Sequence, residues 1–139
     1  MNDEKLTASQ VERVHKALAT VPFAKLLGIE LEDVASGTAT LGLEIRDDLK
    51  QNNGVVHGGA IASLIDTATA FAIISLLPPD EQATTADLTI SYLRPLKSGR
   101  ARATARVIRA GRRLIVVSAE LVDDAGKLAA TALTTYIKI

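Results

Sequence analysis

The sequence predicts an α+β domain in which a long, curved antiparallel sheet wraps around one buried central helix. Three observations predict it. The stretch Gly58 to Leu77 is rich in Ala, Ile and Leu, holds no Pro or Gly after Gly59, and stops at Pro78-Pro79, which marks a helix. Its apolar residues cover almost every face, so it should be buried nearly all round. Four strand-like segments then follow in quick succession, and their short turns impose antiparallel pairing. Helix, two strands, buried helix and four strands are accommodated economically by a sheet curled over that helix.

The elements follow in order. Thr7 to Thr20 places Val11, Val14 and Leu18 at helical spacing, with Ser9 as the expected N-cap. Pro22 to Leu27 reads as a short helix with Pro22 in its first turn and Gly28 at its end. Ile29–Val34 and Thr38–Ile45 are strand-like and flank a hairpin turn at Ser36-Gly37. A polar loop, Arg46 to Asn53, leads into the central helix. Thr84–Leu93 alternates, placing Ala86, Leu88, Ile90 and Tyr92 on one face and Thr85, Asp87, Thr89 and Ser91 on the other. Arg100–Ala110 and Arg113–Val122 join through Gly111, and Asp123-Asp124-Ala125-Gly126 turns into Lys127–Ile139.

With 139 residues and 47% apolar content, the chain reads as one domain spanning residues 1–139, with residues 1–20 as an N-terminal helical segment. Sixteen basic and sixteen acidic side chains give no formal net charge, which disfavours nucleic-acid and membrane-surface partners. The absence of cysteine removes disulfides, thiol nucleophiles and Cys-based metal sites. No cofactor and no metal are expected. The first five residues lack the basic-then-apolar order of a signal peptide, so the expected location is cytoplasmic.

Asp66 is the sole carboxylate between Asp48 and Asp80, and it falls mid-helix in the most apolar segment. An unpartnered ionised group buried there costs several kcal/mol. Asp66 is therefore either a structural residue, bonded by Ser63 or Thr67 or emerging at an exposed face, or a desolvated base or nucleophile. His57-Gly58-Gly59 stands just before that helix. Glycines at a helix N-terminus let a ligand approach bare N–H groups, a setting that suits a carbonyl oxygen becoming negative; the alternative is a plain turn capped by His57. Gly58 and Asp66 are eight residues apart, about 12 Å along a helix. One chain cannot close both on a single carbonyl, so a catalytic pair implies a site shared by two subunits. Eight basic residues and no acidic ones occupy the span from Leu88 to Ala119. Arg102 and Arg106 fit a solvated sheet face, whereas Arg109, Arg112 and Arg113 flank the Gly111 turn and are placed to grip phosphates.

Gln51-Asn52-Asn53-Gly54-Val55-Val56-His57-Gly58-Gly59 followed by Asp66 resembles the PaaI-like hotdog-fold acyl-CoA thioesterases. The run Thr85 to Pro95 and the triplet Gly111-Arg112-Arg113 resemble that family as well. The resemblance implies Asp66 as nucleophile or general base and Gly58 as the N–H donor to the thioester oxygen. It implies that His57 orients the loop or contacts the carbonyl, and that Thr85 positions the carboxylate or water from the partner subunit. Gln51 would hold water or the thioester, with Asn52 and Asn53 as neighbouring amides. Asn53, Gly59 and Ile65 are further substrate-binding candidates, and Arg109, Arg112 and Arg113 would meet coenzyme A. Ile61, Ile65 and Phe71 are the expected lining of an acyl slot.

The function expected is hydrolysis of acyl-CoA to free acid and coenzyme A by a homodimer at least, with a homotetramer favoured. Two alternatives stand beside it. One is a hydratase or dehydratase of acyl thioesters using His57; the other is a non-catalytic acyl-CoA-binding module.

Overall fold

A computed structural model describes residues 4–139. Helix α1 spans Ala8–Ala19 and α2 spans Pro22–Leu27. Strands β1 (Glu30–Ala35) and β2 (Thr38–Glu44) precede the central helix α3, Gly58–Ile74. Strands β3 (Ala83–Tyr92), β4 (Arg100–Ala110), β5 (Leu114–Val122) and β6 (Leu128–Lys138) complete the chain. The six strands form one sheet in the order β1-β2-β4-β5-β6-β3, and every pairing is antiparallel.

The sheet bends over α3 because its inner face is built from small side chains where the helix crosses. Ala101, Ala103 and Ala105 of β4, Ala119 of β5 and Ala129-Ala130 of β6 are buried, and together they leave room for the helix backbone. Leu64, Ile65, Phe71 and Ala72 of α3 fill that trough against Leu41, Val107, Val117 and Leu121, the dense interlock that dominates stability.

Several expectations are corrected. The N-cap of α1 is Thr7, not Ser9: the Thr7 hydroxyl accepts the Gln10 N–H while the Gln10 side chain accepts the Thr7 N–H, a reciprocal pair that satisfies two otherwise orphaned donors. Helix α3 ends at Ile74 rather than Leu77. Ser75 closes it, donating to the Ala72 carbonyl and accepting the Gly37 N–H. The short turns place β4, β5 and β6 side by side, but β3 lies beyond β6 at the sheet edge. Its link to β4 instead passes the N-terminal end of α3, where the Leu96 carbonyl accepts the Val56 N–H.

Two further corrections shape the candidate site. Helix α3 is not covered all round: Gly59, Ala62, Ser63, Asp66, Thr67 and Ala70 form a partly exposed stripe at helical spacing. Strand β3 does not alternate cleanly either. Its register against β6 slips between Thr85 and Asp87, leaving Ala86 as an extra residue. Such a bulge moves a side chain to the other face, so Thr85 joins Leu88 and Ile90 on the face toward α3. No helix among the described residues is long and apolar enough to cross a membrane.

Candidate active site

The loop before α3 is folded by its own backbone. Gln51 and Val55 close a tight turn, and the His57 N–H donates to the Leu49 carbonyl. His57 is the N-cap of α3, its Nδ1 accepting the Gly59 N–H at 2.8 Å. The imidazole lies so close over Gly59 that a Cβ there would meet Nδ1 at 2.9 Å, which explains the second glycine. The expectation that Gly59 offers a bare N–H to a ligand is thereby corrected, because that donor is already used. Gly58 is different. As the first helical residue it has no i−4 acceptor, and its N–H stays available. Its carbonyl accepts from Tyr92 Oη at 3.0 Å, fixing the loop to β3.

Two turns further on, Asp66 sits half-buried on the open stripe. Thr85 Oγ1 donates to Asp66 Oδ1 at 2.9 Å within the same chain. The tyrosine hydroxyl of Tyr136 lies 3.3 Å from the same oxygen and 3.0 Å from the Asp66 carbonyl. Thr69 supports both, donating to the Asp66 carbonyl and lying 3.0 Å from Tyr136 Oη. Asp66 is therefore not an isolated acid in apolar surroundings. Neither Ser63 nor Thr67 is its partner, since each donates to the helix carbonyl four residues back. Among the described residues no donor reaches Asp66 Oδ2, and none of their unpartnered side-chain polar atoms is sealed, so that oxygen keeps some exposure while Oδ1 is anchored.

Burial, and secondarily the Asp66 carboxylate, push the Tyr136 phenol up to about 12 from its ordinary 10.0. It stays protonated and serves as a donor. Because the folded value is raised, its contribution to stability is complete below pH 10 and fades as pH rises toward 12, where the unfolded chain loses the proton first. A shift of that size corresponds to about 2–3 kcal/mol. Replacing Tyr136 with Phe should abolish this alkaline loss; equal falls in urea midpoint for both proteins between about pH 9 and about pH 11.5 would contradict it.

The remaining candidates divide. Gln51 lines a hollow of about 310 Å³ with Gly58, Ile61 and Tyr92, whereas Asn52 and Asn53 are exposed in the preceding turn and do not line it. Ile65 is corrected as a substrate contact: it is 0% exposed and packed in the core. Phe71 is sealed in the same way, because the apolar face of α3 is spent on the sheet. Arg109, Arg112 and Arg113 are exposed around the β4–β5 turn. The pairings Ala110–Ile115, Ile115–Tyr136 and Tyr136–Thr85 put that turn at the same end of the sheet as Thr85 and Tyr136, about 10–15 Å away at ordinary strand spacing.

Tyr136, Thr69 and Tyr92 were not singled out by the sequence. Tyr136 and Tyr92 are the two tyrosines of the chain, and that scarcity was the one available signal.

Comparison with known proteins agrees with this architecture. The thioesterase superfamily model matches residues 53–130, which include the His57 loop, α3 and β3. A Saccharolobus solfataricus protein named provisionally as an esterase is 32% identical, over 91% of this chain and 84% of its own length. The Escherichia coli medium/long-chain acyl-CoA thioesterase YigI is 30% identical, over 84% of this chain and 85% of its own. Among solved structures, the E. coli PaaI protein from the phenylacetic acid degradation operon superposes with a TM-score of 0.89 at 28% identity, covering 97% of this chain and 96% of that one. The edge-anchored carboxylate on a sheet-wrapped helix, with a glycine N–H two turns upstream, thus sits on a hotdog fold, and the chain belongs to the thioesterase superfamily as a PaaI-like member whose chemistry is thioester hydrolysis.

Proposed function

We propose that the protein hydrolyses acyl-CoA to a free acid and coenzyme A at a site framed by two copies of the chain. The observation that carries this reading is Asp66: one carboxylate oxygen is held by Thr85 and Tyr136, and the other, with no donor among the described residues and not sealed, belongs to a residue of the partly exposed stripe of α3. The Gly58 N–H belongs to the same flank but lies about 12 Å up the helix, too far for both to act on one carbonyl. A two-fold axis crossing the stripe solves the mismatch. Two antiparallel copies of α3 related by an axis near Ala62, midway between residues 58 and 66, bring each Gly58 to the other copy's Asp66. The unpaired edge of β3, which runs beside this stripe, supports the same face as the contact.

At such a site the thioester oxygen takes the Gly58 N–H of one copy, and Asp66 Oδ2 of the other attacks the carbonyl carbon or withdraws a proton from an attacking water. Either route uses the same open oxygen. The tetrahedral oxyanion collapses, the C–S bond breaks, and the thiolate leaves to be protonated as coenzyme A. With water as the attacking group this yields the free acid directly; with Asp66 as nucleophile it leaves an acyl–Asp66 anhydride, which water then cleaves to the free acid and the regenerated carboxylate. Gln51 lines the hollow beside Gly58, and the exposed arginines near Thr85 offer phosphate contacts for the nucleotide. The relative named as an acyl-CoA thioesterase supports this substrate class.

The working form in this reading is a cytoplasmic tetramer of two such dimers; exposed Ile108 and Leu133 on the sheet support a second contact. Free-thiol release from a panel of acyl-CoAs tests the activity, and loss of the crotonyl double bond without thiol release would sink it. The contact face has its own test. Ala62→Arg puts two like charges together on the proposed axis and should convert the dimer to monomers by sedimentation velocity, with turnover falling in step; an unchanged assembly would exclude this axis.

A further inference from the structure

Ile65 and Phe71 are sealed in the core, and Ile61 reaches only the hollow beside Gly58, so these three residues do not line one acyl slot. A cavity of about 350 Å³ does open on the other flank of α3, where α1 crosses the helix end. Its walls are Ala17 of α1, Ala70 and Ile74 of α3, Leu77 beyond it, and Tyr136. Tyr136 joins it to the candidate site, because its hydroxyl touches Asp66. At the far end stands Arg13, whose Nη2 donates to the Ile74 and Leu77 carbonyls at 3.4 and 3.3 Å. That guanidinium is committed to closing the end of α3 and blocks the cavity there, while the exposed Pro78, Pro79, Glu81 and Gln82 border its solvent side.

We infer that this cavity receives the acyl chain, and that the preferred substrates are straight-chain acyl-CoAs of medium length. The inference rests on Asp66 being the hydrolytic centre. Asp66, Ala70 and Ile74 follow one another at four-residue spacing along one side of the helix, as i, i+4, i+8. A carbonyl carbon at Asp66 would send its chain over Ala70, then Ile74, toward Arg13. Eight residues of helix cover about 12 Å. An extended chain gains about 1.2 Å per bond, a third of the span of one extended residue. The cavity thus accommodates about ten carbons before the Arg13 wall. Its volume is at the small end for ligand sites, which run from about 300 Å³ upward. A narrow alkyl chain fills it along its whole length, whereas a phenylacetyl ring would occupy the near end and leave Ile74 and Leu77 uncovered.

The test is a thiol-release profile over butanoyl-, octanoyl-, decanoyl- and hexadecanoyl-CoA with phenylacetyl-CoA alongside. The wild-type protein should favour octanoyl and decanoyl groups, and hexadecanoyl should be about tenfold or more poorer. Ala70→Phe places a ring one turn beyond Asp66 and should lower kcat/KM for decanoyl-CoA about tenfold or more relative to butanoyl-CoA. Ile74→Trp, deeper in the cavity, should shift the optimum to shorter chains and provides a second reading should Ala70→Phe fail to fold or to assemble. Hydrolysis with a chain-length profile unmoved by both variants, or with phenylacetyl-CoA preferred, would overturn this inference alone. Failure of the wild-type protein to release thiol from any acyl-CoA would overturn the hydrolytic reading, and this inference with it.

Discussion

Asp66→Asn removes thioester turnover by about 10³-fold while the protein stays folded and assembled. The substitution preserves shape, and the amide oxygen can still accept from Thr85 where the carboxylate does at 2.9 Å. What it removes is the negative charge of the carboxylate whose second oxygen has no donor among the described residues. Asp66 contributes little to the core, being only half-buried among residues whose apolar neighbours point to the sheet, so the thermal midpoint should move little. Rates for an acyl-CoA, measured by thiol release alongside circular dichroism, check it. Turnover within a few-fold of wild type would remove Asp66 from the chemistry.

Gly58→Pro should cost about 10²- to 10³-fold in kcat, the value of one oxyanion donor. Proline is tolerated at the first position of a helix, where no intrahelical bond is lost. The residue before it must be extended, and His57 already is, at φ −63° and ψ 135°. The variant therefore deletes one N–H and keeps the local fold. Gly58→Ala separates the donor from the added bulk: its Cβ would rest 3.4 Å from the Tyr92 ring and its N–H survives. Equal losses in the two variants would mean that crowding against Tyr92, not the missing donor, sets the rate.

The central helix was legible because its breakers are local: glycines at one end, Pro78-Pro79 near the other. The β5–β6 turn was legible for the same reason, since Asp123 accepts the Ala125 and Lys127 N–H groups in an Asx arrangement that the residue types announce. The Ala86 bulge had no such signature. Thr84 to Leu93 alternates well on paper, and the slip appears only in register with Tyr136 and Thr135 on β6. That single residue turned Thr85 toward Asp66.

Asp66 and Gly58 stood out because a lone acid in an apolar run and a double glycine before a helix are unusual patterns. Tyr136, 70 residues from Asp66 in the chain, carries no local motif; tertiary packing alone brings them together. Ile65 failed for a related reason. Apolar periodicity marks which helix face is hydrophobic, but cannot tell a face filled by the sheet from one that borders a cavity, and Ala70 and Ile74 were hidden by the same ambiguity.

Subunit complementation tests the shared site most directly. Asp66→Asn and Gly58→Pro proteins, each inactive alone, are mixed under conditions that exchange subunits. A mixed dimer pairs the intact Asp66 of one chain with the intact Gly58 of the other, so random exchange should restore about a quarter of wild-type turnover, half the dimers having one sound site of two. Thorough exchange with no recovery would place both groups in a single chain and contradict the account.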